Sequence, residues 1–255
     1  MKLGIIQGRL SPPVKNHIQE FPFDTWKDEF KFIDELGLSH IEWLVTESSY
    51  RDNPLFKEYL ADYKINTICC DHIIHEEIED ITFLKENLTE VCDNAIENNI
   101  SSITIPLLEK SSMEDDYRRK LFIQNINKFK EEYPSLIFLF EPELDPIKTL
   151  DIVNSNEMFY VTYDTGNITS YNNQHEEFIH TLVNKIKNVH IKDRKNGKTV
   201  EPFTGDTNFE LIFRTLKYCN YKSDFTLQVA RESPGNEYKY IQNIKDKFEN
   251  YYESI

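Results

Sequence analysis

FYVTYDTGN at residues 159–167 and KIKNVHIKDR at residues 185–194 decide how this chain is read. Each contains an apolar, β-branched run that delivers a metal-capable side chain, Asp164 in the first and His190 in the second, and then breaks into polar loop. Two strands of this design lying side by side bring an Asp and a His to the same end of a sheet. An Asp before a polar loop is more commonly a helix N-cap, and a lone His more commonly a satisfied buried imidazole. Two ligands also make a poor metal site, so other strand ends must carry Glu, Gln, Asp or His at similar intervals.

Outward from these runs the same pattern recurs. LGIIQ (3–7), HIEWLV (40–45), INTICCDH (65–72), SSITIP (101–106), LIFLFEPE (136–143) and FTLQVAR (225–231) read as further strands. Between them lie helical segments. Trp26, Phe30, Ile33 and Leu36 recur at helical spacing, with Asp24 as the expected N-cap and Gly37 beyond the C-terminus. EYLADY (58–63), a polar stretch over 81–98, a segment through Phe122, Ile126 and Phe129, FELIFRTLKYC (209–219) and EYKYIQNIKDKFENYY (237–252) are the other expected helices. Eight strands alternating with helices imply a parallel α/β architecture, and eight predicts a (β/α)8 TIM barrel. The 255 residues contain no Gly/Ser-rich tract or low-complexity block, so residues 1–255 are expected to form a single domain. A glycine fingerprint of the GxGxxG or P-loop type is missing from the first βα turn, against a doubly wound nucleotide-binding fold.

The formal net charge of −15 works against a phosphate backbone, so nucleic acid is a disfavoured partner. The four cysteines show no CxxC pair or knuckle spacing, and the thiols are expected to be reduced. The start MKLGIIQG has no basic n-region followed by a long apolar stretch, and no later run approaches a membrane span. A cytoplasmic protein without a membrane partner is the expectation.

A barrel of this kind gathers its strand ends at the C-terminal mouth, here Glu141, Asp164, His190 and Gln228. Their spacings of 23, 26 and 38 residues each accommodate one βα unit. Strand alternation agrees: Asn188 and His190 share one face while Val189 and Ile191 share the other, and Thr226 and Gln228 share a face in the last strand.

EPE after an apolar strand, then YDTGN, VHIKD and a closing strand whose Gln is followed by Arg, resemble the metal-site order of the xylose-isomerase-like sugar phosphate isomerases and epimerases. The resemblance spans nearly the whole chain. It implies a divalent ion, Mn²⁺ or alternatively Zn²⁺ or Mg²⁺, on Glu141, Asp164, His190 and Gln228, the last standing where most members carry a second Glu. It also implies proton transfer next to a carbonyl of a ketose or sugar phosphate through an enediolate, with Glu141 as base and His72 as a second catalytic residue that bonds substrate oxygen. Glu42, Asn167, Arg194 and Arg231 are the expected substrate contacts, the arginines as clamps for a phosphate or carboxylate. Gly205-Asp206-Thr207 falls where relatives often carry a Gly-rich turn for phosphate.

Because Gln cannot act as an acid or base, aldose–ketose isomerisation with one carboxylate is favoured over epimerisation. Rival readings on the same scaffold are a sugar-binding barrel without turnover, a metal-dependent keto-acid dehydratase and an apurinic-site endonuclease. The last is disfavoured: Asn167 stands in place of a histidine in its DxxH pattern, and no Asp-x-His pair follows strand seven. A homo-oligomer is compatible with all of these.

Overall fold

The computed structural model describes residues 2–14 and 17–255. Eight strands pair in parallel into a closed barrel: β1 (Lys2–Ile6), β2 (Ile41–Leu44), β3 (Ile65–Cys69), β4 (Ser102–Leu107), β5 (Ile137–Pro142), β6 (Phe159–Asp164), β7 (Ile186–Ile191) and, after a hairpin formed by β8 (Asp193–Lys195) and β9 (Lys198–Val200), β10 (Asp224–Leu227). β10 pairs with β7 on one side and with β1 on the other, which closes the ring. The fold is therefore the expected (β/α)8 barrel.

Alternation along each strand sorts the side chains into two cores. Outward residues, among them Ile5, Trp43, Ile68, Ile105, Phe140, Tyr163, Val189 and Phe225, belong to one continuous apolar cluster with the helices. The inward positions are mostly polar: Glu42, Thr67, Thr104, Thr162, Asn188, His190 and Thr226 are all buried, and only Ile6, Leu44 and Cys69 form a small separate apolar cluster. This explains why strands in an all-parallel sheet alternate in sequence instead of reading as continuous apolar runs. Gly4 faces the interior, and a Cβ there would lie 2.2 Å from the ring of His40, so a side chain at that position would displace the imidazole.

The helices are α1 (Trp26–Leu36), α2 (Ile81–Glu97), α3 (Asp116–Lys130), α4 (Pro146–Val153), α5 (Thr165–Tyr171), α6 (His175–Leu182), α7 (Phe209–Tyr218) and α8 (Glu237–Ser254). α2 starts at Asp80, whose carboxylate accepts from the N–H groups of Thr82 and Phe83, and it buries Leu84, Leu88, Val91, Cys92 and Ala95, one stripe at helical spacing. The N-cap position of α1 is Thr25 rather than Asp24, and its side chain bonds Ser11 instead of the helix N–H groups.

The connection from β2 to β3 carries no α-helix. EYLADY is irregular, and a single 3₁₀ turn at Pro54–Phe56 precedes it, set by Asn53, which accepts from Leu55 N–H and from the Trp43 indole. Leu55, in the 3₁₀ turn that packs on α2, and Leu60 both join the apolar cluster that a helix would otherwise cover. Six residues make fewer than two turns, too short to stand without such packing. No helix among the described residues is long and apolar enough to cross a membrane.

Candidate active site

Glu141 near the end of β5, Asp164 at the end of β6 and His190 in β7 bring ligand-type atoms within 4.8 Å of one another. His190 Nδ1 lies 3.7 Å from Glu141 Oε1 and 3.9 Å from Asp164 Oδ2. All three are buried, as is Gln228, the residue directly after β10. Asp164 divides its carboxylate between two tasks. One oxygen caps α5 by accepting from Asn167 N–H at 2.7 Å, and the other faces His190 and the Lys192 ammonium, 3.2 Å away. Asp164 is thus the N-cap of α5 and at the same time a neighbour of His190.

Asn167 links the acids, donating to Glu141 Oε1 at 2.9 Å while its own carbonyl accepts from Lys192 at 3.0 Å. Thr165 ties β6 to β7 by donating to the Lys192 carbonyl at 2.6 Å. Burial pushes the Glu141 carboxyl above its usual range despite the neighbouring His190. Burial would raise Asp164 as well, but Lys192, His190 and the Asn167 N–H together hold it below the usual range. At His190 burial opposes the positive charge, and the carboxylates of Glu42 and Glu141 outweigh it, raising the imidazole well above its usual value.

Two buried polar atoms here have no hydrogen-bond partner: His190 Nδ1 and Gln228 Oε1. Buried polar atoms without partners are costly and rare, and a cation that takes the place of any proton on Nδ1 and accepts both lone pairs would satisfy the two. Two carboxylates, an imidazole nitrogen and an amide oxygen form a donor set suited to Zn²⁺ or Mn²⁺, so the residues fit a divalent ion. Gln228 directs its amide N–H to Gln19 Oε1 at 3.2 Å, Gln19 donates to Asp71 Oδ1 at 2.7 Å, and Arg9 also reaches Gln19. Gln19, Asp71, Arg9 and Lys192 therefore belong to the mouth, and of these only Asp71 lies at the end of an expected strand. Burial pushes the Asp71 carboxyl up to about 6.

The remaining expected site residues lie elsewhere. β3 ends at Cys69, and Asp71–Ile73 forms a 3₁₀ turn that gives Asp71 to Gln19 and turns His72 away. The His72 ring stacks on Tyr50 at 4.6 Å, bonds the Asn87 carbonyl of α2, and lines a side cavity of about 340 Å³ that contains none of the clustered residues. Burial lowers its pKa to about 4. Glu42 accepts from His190 Nε2 at 2.8 Å, on the opposite edge of the ring from Glu141 and Asp164, and is fully buried behind it.

Arg231 donates to the carbonyls of Ile18, Gly8 and Ser11, and Arg9 to those of Val229 and Ile18, so both guanidinium groups pin the loop after β1. Arg194 bonds Gly197 O within the β8–β9 hairpin. At the Gly205 turn, Thr204, Gly205 and Thr207 N–H groups all donate to the Asp193 carboxylate at 2.7–3.1 Å. A Cβ on Gly205 would lie 2.3 Å from Asp193 Oδ1, so the turn is closed around this chain's own anion and not open to a phosphate.

No protein-family model matches the chain. Among curated proteins it is 27% identical over 107 residues to an inosose dehydratase of Clostridium perfringens, covering 34% of this chain and 35% of that protein. It is 28% identical over 94 residues to the L-ribulose-5-phosphate 3-epimerase UlaE of Salmonella paratyphi B, covering 36% of this chain and 33% of that protein. The matches thus span about a third of the length of these curated relatives.

Solved structures align over nearly the full chain. D-allulose 3-epimerase from Methylomonas in complex with D-allulose gives a TM-score of 0.75 at 11% identity, covering 98% and 96% of the two chains. The IolI protein with a bound zinc atom gives 0.73 at 13%, covering 98% and 97%. A xylose isomerase domain protein from Planctomyces limnophilus gives 0.67 at 12%, covering 98% and 96%. The chain has the fold of the xylose-isomerase-like TIM barrels.

Proposed function

We propose that this protein is a metal-dependent ketose isomerase whose divalent ion is held by Glu141, Asp164, His190 and the amide oxygen of Gln228. The observation that carries the reading is the pair of buried polar atoms without hydrogen-bond partners, His190 Nδ1 and Gln228 Oε1, at a mouth where two carboxylates already meet the imidazole. The zinc in IolI and the sugar in the D-allulose epimerase, two barrels of this fold, support an ion and a sugar here. The bound ion would polarise a carbonyl and stabilise negative charge that grows beside it.

The chain's own side chains supply the rest. Glu141, buried and raised above the usual carboxylate range, is the base that takes a proton from the carbon next to the carbonyl and returns it to the neighbouring carbon. Asn167 fixes the Glu141 carboxylate by donating to Oε1. Lys192 sits beside Asp164 and balances the acids of the mouth. A second acid/base group, which epimerisation requires, is not supplied by Gln228, by Glu42 behind His190 or by His72 against α2, and Asp71 is engaged by the Gln19 amide, which together favour isomerisation. The Gly205 turn is filled by Asp193, which favours an unphosphorylated sugar.

The test is incubation of the zinc- or manganese-loaded protein with ketoses and ketose phosphates in D₂O, followed by NMR. Deuterium entry at the carbon beside the carbonyl, with formation of an aldose and loss of both in Glu141→Gln, is the expected result. Inversion of a ketose carbon that survives Glu141→Gln would overturn the assignment. The likeness to an inosose dehydratase makes dehydration the second reading, and an unsaturated ketone absorbing in the near ultraviolet would report it.

A further inference from the structure

We infer that Asn188 and Thr226 are positioning residues, which set the orientation of His190 from the layer of side chains beneath the candidate metal site. Each lies two residues before a proposed ligand on the same inward strand face, Asn188 before His190 and Thr226 before Gln228. Thr226 Oγ1 donates to Asn188 Oδ1 at 2.9 Å, Asn188 Nδ2 donates to Glu42 Oε2 at 2.9 Å, and the same oxygen accepts from His190 Nε2 at 2.8 Å. All four residues are 0–1% exposed, so water does not compete for these bonds.

The chain of bonds has only one polarity when Glu42 is a carboxylate. A carboxylate accepts and never donates, so the Asn188 amide must turn its NH₂ to Glu42 and its carbonyl to Thr226. The Thr226 hydroxyl must then donate, and His190 must carry a proton on Nε2. Nε2 thus points to Glu42 whatever the charge on the ring, and Nδ1 faces Glu141 and Asp164, the direction in which it lacks a partner. Without the Thr226 hydroxyl the Asn188 amide loses the partner that holds its carbonyl, and Glu42 loses a fixed donor. His190 would then be held by a carboxylate free to turn, and partners behind a metal-binding imidazole are worth about 10–100-fold in metal affinity.

The experiment compares wild type with Thr226→Val, Thr226→Ser and Asn188→Leu, all first checked for an unchanged circular dichroism spectrum. One reading is the downfield Nε2–H proton of His190 in ion-free protein, assigned by ¹⁵N labelling and by its loss in His190→Gln. Wild type and Thr226→Ser should show it as a slowly exchanging resonance, and Thr226→Val and Asn188→Leu should broaden it or exchange it at least tenfold faster. The other reading, which rests on the function proposed above, is zinc affinity by competition with a chromophoric chelator. Thr226→Val should bind about tenfold more weakly, and Thr226→Ser should recover wild-type affinity. If wild type binds no zinc the metal reading fails, while the proton reading still decides the role of Asn188 and Thr226. Should Thr226→Val not fold, Thr226→Ala removes the same hydroxyl without added bulk. A folded variant lacking the hydroxyl that keeps a protected Nε2–H overturns the inference.

Discussion

Replacing Glu29 with Gln should remove a pH dependence of stability that the wild-type chain shows between pH 5 and 8. Glu29 lies in the first turn of α1 and is almost completely buried, and its two oxygens accept from the N–H groups of Gly8 and Leu10, each at 3.0 Å. These bonds clamp the segment leaving β1, which carries Arg9 and Gln19 to the mouth. Burial pushes the carboxyl up to about 7 from 4.5, against the pull of those N–H groups and Arg231. Below pH 4.5 the carboxyl is protonated in both folded and unfolded chains, and its contribution to stability is complete. As the pH rises towards 7 the unfolded chain releases the proton and the folded chain keeps it, so stability falls, until above 7 the contribution is lost.

At about 1.4 kcal/mol per pH unit, the gap from 4.5 to about 7 amounts to about 3 kcal/mol. Urea unfolding of both proteins at pH 5, 6, 7 and 8 measures it, and subtracting the two curves cancels shared titrations such as that of Asp71. The variant should be less stable at pH 5 by about 1–3 kcal/mol, because an amide NH₂ cannot accept from the second backbone N–H as the oxygen of a carboxylic acid can. Its deficit should shrink steadily with pH, by about 2–3 kcal/mol between pH 5 and 8. A difference that stays constant with pH would refute the assignment of a protonated Glu29 to the folded state.

Three further outcomes are expected. Glu42→Gln keeps an acceptor for His190 but removes the charge behind it, and should weaken zinc binding by about 10–100-fold in a chelator competition while leaving the fold intact. Trp43→Ala removes a fully buried ring that packs on Phe21 and Trp26 and donates to Asn53, and should cost about 3–5 kcal/mol in urea unfolding. Gly4→Ala forces the His40 ring out of its place in the barrel and should cost about 1–3 kcal/mol, visible as a lowered Tm.

The fold was legible because alternation, the main barrel signal, is carried by many residues at once: Val189 and Ile191 against Asn188 and His190 is one instance of a pattern repeated around the ring. The short elements were not legible. TGNITSY has no apolar period of its own, and its helix is started by a cap that is also a site residue, Asp164. The convergence of Glu141, Asp164 and His190 followed from their places at strand ends. Roles that depend on which edge of a ring a neighbour meets did not follow. Glu42 shares the barrel interior with His190, yet only the register of β1, β2, β10 and β7 puts it behind Nε2 and not beside Nδ1. His72 and Asp71 are adjacent, and a 3₁₀ turn in place of continued strand exchanges which of them reaches the mouth. The Gly205 turn has the composition of a phosphate cradle, and only the fold reveals that Asp193 already occupies it.

The neutral residue at position 228 fits its surroundings better than a carboxylate would. Asp71 accepts from the Gln19 NH₂, which turns the Gln19 carbonyl towards position 228, and Arg9 donates to that same carbonyl. A carbonyl oxygen can be met only by a donor. Gln228 provides one in its NH₂ and thereby aims its own oxygen the other way, without a protein partner. A Glu at this place would set a carboxylate against the Gln19 oxygen, and turning Gln19 over to relieve it would set that oxygen against Asp71. The amide at 228 is therefore tied to Gln19, Asp71 and Arg9 as one unit, and a neutral side chain is what these neighbours require there.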